Sequence, residues 1–122
     1  MYIEIDFNSE EALYVQLRNQ IILGIATSRL KDGETLPSVR ALAEDIGINM
    51  HTVNKAYAAL KADGFVRVDR RRGVVVSVDI DHLRTMATVK EYLRPIVAAA
   101  MAKGLDRDEI QVLIGEVYDE LA

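Results

Sequence analysis

Cysteine is absent from this 122-residue chain, and disulfides, zinc thiolate sites and cysteine nucleophiles are excluded with it. Tryptophan is also missing, and there are only two histidines and two prolines. His51 and His82 lie far apart, with no HExxH-like spacing and no cysteine beside them, so neither a metal centre nor a cofactor is expected. His51 reads as a polar or backbone contact, and His82 as an exposed residue near a helix start. Apolar runs are short and broken by charge, which excludes a transmembrane helix or a signal peptide and leaves a cytoplasmic protein with no membrane partner as the expectation. Glycine-rich phosphate loops and a convergent set of acid, base and nucleophile are lacking too. Asp106, Asp108 and Glu109 look like first-turn charges complementing a helix dipole, so the chain does not read as an enzyme.

What is present is a hydrophobic share of 50%, enough for the core of one compact domain with a helical appendage. Positive charge is scarce overall, with 15 basic against 19 acidic residues and a net charge of −4. Its distribution is uneven. Residues 1 to 37 hold three basic and six acidic residues, residues 38 to 73 seven and four, and residues 74 to 122 five and nine. The middle segment alone is positive, as a segment facing nucleic acid would be. Acid elsewhere weakens non-specific attraction to phosphate and leaves selectivity to correct docking.

That segment also has the clearest local grammar. Pro37 disfavours helix at Leu36, Ser38 can cap, and a helix starts at Val39 with Val39, Leu42, Ala43 and Ile46 in one apolar stripe. Gly47 stops it in a left-handed conformation. Ile48 and Asn49 make a turn, and Asn49 caps a second helix running to about Ala62, whose buried stripe is Val53, Ala56, Tyr57 and Leu60. Tyr57 on that stripe reads as core. The opposite face carries Met50, His51, Asn54, Lys55 and Lys61. Such a face can enter a DNA major groove, where Asn can bond adenine and a basic residue guanine. Asn54 by itself either reads a base or faces solvent. After Gly64 the pattern turns extended, with Phe65, Val66 and Val68 before the turn DRRRG and Val74, Val75, Val76 and Val78 after it. This predicts a hairpin with Arg70, Arg71, Arg72 and Gly73 at its tip. An arginine run is a weak motif alone, and a solvated turn would carry one as well. Behind a helix-turn-helix it reads as a basic wing.

Upstream, a first helix is expected from Glu10 to Thr27 behind a Ser9 cap. Leu13, Leu17, Ile21 and Gly24 mark its buried face, and Leu30 to Glu34 form a loop. Downstream, a helix from His82 to Lys103 carries the stripe Leu83, Met86, Val89, Leu93, Val97 and Ala100, with Pro95 inside it. A last helix behind Asp106 presents Ile110, Leu113, Ile114, Val117 and Leu121. Met86 and Met101 read as packing residues. These two amphipathic helices have no core of their own, so a second copy of the chain is the expected cover and a homodimer the expected state.

The ordered set formed by Leu13, Tyr14 and Gln16, LPSVRALA at 36 to 43, Gly47, Ile48, Thr52, Val53, Ala56, Tyr57, Leu60, GFV at 64 to 66, and Arg72 with Gly73 resembles the DNA-binding domain of GntR-type bacterial transcription regulators. The resemblance covers about the first two thirds of the chain. The short tail and the opening IEIDFNSEEALYVQL look like the YtrA-type branch, in which two helices replace a large ligand-binding domain. The resemblance implies that Arg40 contacts a base or phosphate, that Met50 to Lys55 enter the major groove, and that the wing touches the neighbouring minor groove. It also implies a repressor. The family's wing usually has a second glycine two residues after the first, and here Val75 stands in that place.

The expected fold is mostly α with a small β-hairpin wing: a winged helix-turn-helix at 1–78, followed by a two-helix dimerisation or effector segment at 79–122, where a pocket between the helices leaves a small-molecule effector open but no convergent polar set names one. The DNA-facing set is Ser38, Arg40, Asn49, Met50, His51, Thr52, Asn54, Lys55, Arg70, Arg71, Arg72 and Gly73. The dimer-facing set is Leu83, Met86, Val89, Leu93, Val97, Ala100, Ile110, Leu113, Ile114 and Val117. The expected function is a sequence-specific regulator that binds double-stranded DNA at an inverted repeat. The alternative is a winged-helix module that binds proteins and not DNA, since fold alone does not decide function.

Overall fold

The computed structural model describes all 122 residues. Their order is α1 (Leu13–Ala26), α2 (Val39–Ile46), α3 (Met50–Ala62), β1 (Val66–Asp69), β2 (Gly73–Val76), α4 (His82–Ala102) and α5 (Arg107–Leu121). This is a helix-turn-helix with a hairpin wing, followed by a helical pair. The chain divides into two compact units, Met1–Asp79 and Ile80–Ala122.

The start of α1 departs from expectation. Ser9 does not cap it; the Ser9 hydroxyl accepts from the Glu11 amide at 3.1 Å in a local turn, and the helix begins after Ala12 with no side-chain cap. The cause is Gln16, the one buried polar residue of the core. Its Nε2 donates to the carbonyls of Glu11 (2.9 Å) and Asp6 (3.0 Å), and its Oε1 accepts from the Asp6 amide (2.9 Å). A helix from Glu10 would need the Glu11 carbonyl for the Val15 amide. That amide bonds Ala12 instead, and the segment before it is pinned as a non-helical arm whose Ile3 and Ile5 pack on the core. At the other end of the helix, a Cβ on Gly24 would stand 2.9 Å from Leu30 Cδ1, so glycine lets Leu30 fold back onto α1.

The three helices close around Leu17, Ile21, Leu42, Ala43, Val53, Ala56, Tyr57 and Leu60, all buried. The expected stripe of α3 is the stripe that is buried. The Tyr57 hydroxyl donates to the Pro37 carbonyl at 2.8 Å, tying α3 to the residue before the α2 cap.

β1 and β2 pair antiparallel from Val66 with Val76 to Asp69 with Gly73. The stretch expected to be a plain loop does more than connect. The Val76 carbonyl accepts from the Gly33 amide and the Val76 amide donates to the Glu34 carbonyl (2.8 Å each), the Leu36 amide donates to the Val74 carbonyl (2.8 Å), and Thr35 bridges Val75. β2 is therefore central, flanked on one side by β1 and on the other by the 33–36 edge. Val75, in the place of the family's second glycine, is fully buried there.

In the second unit, Asp81 caps α4 through the Arg84 amide and a reciprocal Asp106–Glu109 capping box opens α5. Pro95 lies inside α4, and Lys103 is its C-terminal cap. Neither helix has a buried residue. Leu83 is 79% exposed and Ile114 50% exposed, while Leu93, Val97, Ala100 and Ile110 are half-buried.

Burial raises the Tyr57 phenol above its ordinary value. The unfolded chain ionises this group near pH ~10, so the folded state binds more protons above that point and stability falls as pH rises. Tyr57→Phe should lower stability by about 1 to 3 kcal/mol at neutral pH, because the Pro37 carbonyl loses its partner. It should also flatten the alkaline loss. Urea melts at pH 7 and above pH 10 check both parts, and an equally steep alkaline loss in the variant would contradict the assignment.

Candidate nucleic-acid interface

The corner between α2 and α3 is built from backbone chemistry. The Ser38 hydroxyl accepts from the Ala41 amide at 3.1 Å, and the Asn49 Oδ1 accepts from the His51 amide at 2.7 Å. Between them Gly47 sits at φ +77°, where its amide and that of Ile48 both close on the Ala43 carbonyl. The acceptor atoms of Ser38 and Asn49 are thus used to start helices. Their place in the expected DNA-facing set is at the corner, holding the helices that present the other residues.

With Val53, Ala56, Tyr57 and Leu60 turned inward, α3 exposes Met50, His51, Asn54 and Lys55, and leaves Thr52 half-buried. Arg40 is exposed on the first turn of α2. Lys55 is not a free cation: its Nζ lies 4.2 Å from the centroid of the Tyr14 ring, where the negative ring face attracts it. Tyr14, His51, Thr52 and Lys55, with Ala12 and Leu13, line a cleft of about 340 Å³ between the start of α1 and the first turns of α3.

The wing tip is organised by Asp69. Its Oδ1 accepts from the amides of Arg71 (2.8 Å) and Arg72 (3.0 Å), while Oδ2 lies 3.4 Å from Arg67 Nη1 and 3.8 Å from Arg72 Nη2. The Arg71 amide is the main reason the Asp69 carboxyl is held below its ordinary range, followed by the Arg72 amide and, more weakly, by the two guanidiniums. Arg72 also reaches across with Nη1 to the Gly33 carbonyl at 3.1 Å. Gly73 ends the turn at φ +83°. Arg70 and Arg71 are exposed, and their side chains make no ion pair.

Sequence reasoning missed three of these contributors. Asp69 carried a readable signal, since aspartate at the first position of a turn commonly bonds the amides two and three residues on. The Gly33 partner of Arg72 is 39 positions away and had no local trace. The Tyr14–Lys55 contact joins two helices and is equally silent in a linear reading. The arrangement holds no cluster of acids and histidines fit for a metal, and no helix is long and apolar enough to cross a membrane.

A corner that sets an exposed polar helix face beside an arginine-tipped hairpin is the layout of a winged-helix DNA-binding domain. Residues 10–76 match the family described as bacterial regulatory proteins, gntR family. The chain belongs to the GntR family. It is similar to the transcriptional repressor YtrA of Bacillus subtilis, at 31% identity over 118 residues, covering 94% of this chain and 91% of that protein. Among solved structures, YtrA from Sulfolobus acidocaldarius, a GntR-family transcription factor, shares 43% identity with a TM-score of 0.67, covering 82% of this chain and 97% of that one. A transcriptional antiterminator from Listeria monocytogenes EGD-e, at 24% identity, shares the fold with a TM-score of 0.87 over 99% of this chain and 92% of that one. This chain is therefore a transcription regulator with a DNA-binding domain, and its relatives are regulators and not enzymes.

The lowered Asp69 pKa gives the wing an acid limit. The carboxylate grip is complete above the unfolded value of about 3.9 and is lost as pH falls through the lower folded value. Carboxyl-carbon NMR should show Asp69 titrating below ordinary aspartate, with exchange protection of the Arg71 and Arg72 amides fading over the same range. Titration at or above the ordinary range would refute the turn.

Proposed function

We propose that the protein is a homodimeric, sequence-specific repressor that binds an inverted-repeat operator in double-stranded DNA. The observation that carries this is the exposed α3 face with Asn54 and Lys55, held in one rotational setting by a fully buried opposite stripe and placed in the chain's only positive segment. In this reading Met50 to Lys55 enter the major groove, Arg40 adds a base or phosphate contact, and the arginine tip of the wing lies against the neighbouring minor groove. Residues 1–78 act as the reader and residues 79–122 as the dimerisation segment, working in the cytoplasm. The repressor assignment is supported by similarity to the Bacillus subtilis YtrA repressor.

The second copy is inferred from the apolar surface of the helical pair. Met86 and Val89 on α4 and Leu113, Ile114 and Val117 on α5 are each about half exposed, and neither helix buries a residue, so both apolar stripes are uncovered. A two-fold dimer covers such a surface and spaces two α3 helices for half-sites about 10 base pairs apart.

Selection of bound sites from a random duplex library at two salt concentrations tests the whole reading. An inverted repeat with matching half-sites is expected. Weak binding without a motif, abolished at the higher salt, would favour the protein-interaction module. Asn54→Ala should cost about 1 to 3 kcal/mol of operator binding and relax one base position, and an unchanged preference removes Asn54 as a reader. Ile114→Glu should sediment as a monomer and bind the operator more weakly. A variant that remains dimeric would place the interface elsewhere.

A further inference from the structure

The wing carries four arginines, Arg67, Arg70, Arg71 and Arg72, in two different situations. The guanidinium of Arg72 is turned back onto the protein. One nitrogen donates to the Gly33 carbonyl at 3.1 Å and another lies 3.8 Å from the Asp69 carboxylate. Arg67 shares the same carboxylate at 3.4 Å. Asp69 therefore offsets charge at the base of the wing and leaves the tip charge to Arg70 and Arg71, whose side chains have no such partner.

The position of Gly33 gives the Arg72 contact its mechanical meaning. Gly33 begins the 33–36 edge, which is laced to β2 through Val76 and Val74. The Arg72 clasp joins the tip of the hairpin to that edge at the far side of the central strand. Asp69 closes the turn from within by taking the Arg71 and Arg72 amides. A two-stranded hairpin is marginal in isolation, and these two ties present its tip in one orientation before DNA arrives.

We propose that Arg72 is a positioning residue, clamping the wing to the edge that carries Gly33, and that Arg70 and Arg71 are the wing residues that touch DNA. This rests on the DNA-binding reading above and divides the labour within it. A phosphate recruiting Arg72 would first have to break its bond to Gly33. Arg70 and Arg71 have nothing to break.

The test uses the full-length protein and the operator duplex recovered by site selection. Binding constants are measured over a salt series for wild type, R70Q, R71Q and R72Q. R70Q and R71Q should each lower the slope of log affinity against log salt by about one, as expected for one lost phosphate contact. R72Q should weaken binding several-fold with the slope unchanged. Nitrogen-15 spectra of the wild-type arginine side chains supply a readout independent of any variant. Arg72 should show a restrained guanidinium in the free protein and little change on adding duplex, while the Arg70 and Arg71 signals move. A slope loss in R72Q equal to that in R70Q, wild-type affinity in R72Q, or an Arg72 signal that moves most would each overturn the assignment. If wild type selects no site and its weak binding is abolished at the higher salt, the DNA reading falls and the proposal falls with it. Selective wild-type binding with a slope loss in R72Q removes the proposal alone.

Discussion

Everything at the candidate interface depends on the burial of one stripe. Val53, Ala56 and Leu60 are fully buried and Tyr57 is 4% exposed. Successive helical residues are about 100° apart, so turning α3 by one position would carry apolar side chains into water and Asn54 or Lys55 into the core. The hydrophobic effect therefore fixes which polar residues face outward without contacting any of them. The Tyr57 bond to the Pro37 carbonyl extends this constraint to α2, because the carbonyl it uses directly precedes the Ser38 cap.

The polar interactions add orientation where the core cannot reach. Gln16 uses its amide to hold the arm before α1, Asp69 closes the wing turn, and Arg72 fastens that turn to the 33–36 edge. The ion pairs at the wing are exposed and add little to global stability. Their consequence is local, in where two arginines point. Lys55 over Tyr14 is similar in kind: a long, flexible cation is given a preferred position by an aromatic ring on another helix.

The two units differ in how completely they satisfy themselves. Met1–Asp79 has a closed core and no buried side-chain nitrogen or oxygen without a partner. Ile80–Ala122 has well-capped helices and no buried residue. Capping sets where those helices start but does nothing for the apolar faces, which need a surface this single chain does not supply. That imbalance is the physical basis for inferring a second copy.

The sequence by itself determined the helix-turn-helix, the hairpin and the helical pair. Their signals are local: Pro37 and Ser38 before α2, the left-handed Gly47 after it, the Asn49 cap, and β-branched runs on either side of DRRRG. It also marked the exposed α3 face, because helical periodicity separates the two sides of a helix without reference to the rest of the fold. Tertiary structure alone decided the rest. The start of α1 moved to Leu13 because a side chain from within the helix captured the Glu11 carbonyl. The loop before α2 became a sheet edge because β2 had a free side. Arg72 was separated from Arg70 and Arg71 by a carbonyl 39 residues away. Caps, turns and periodicity act within a few residues and can be read along the chain, whereas these outcomes depend on groups that folding brings together from distant positions.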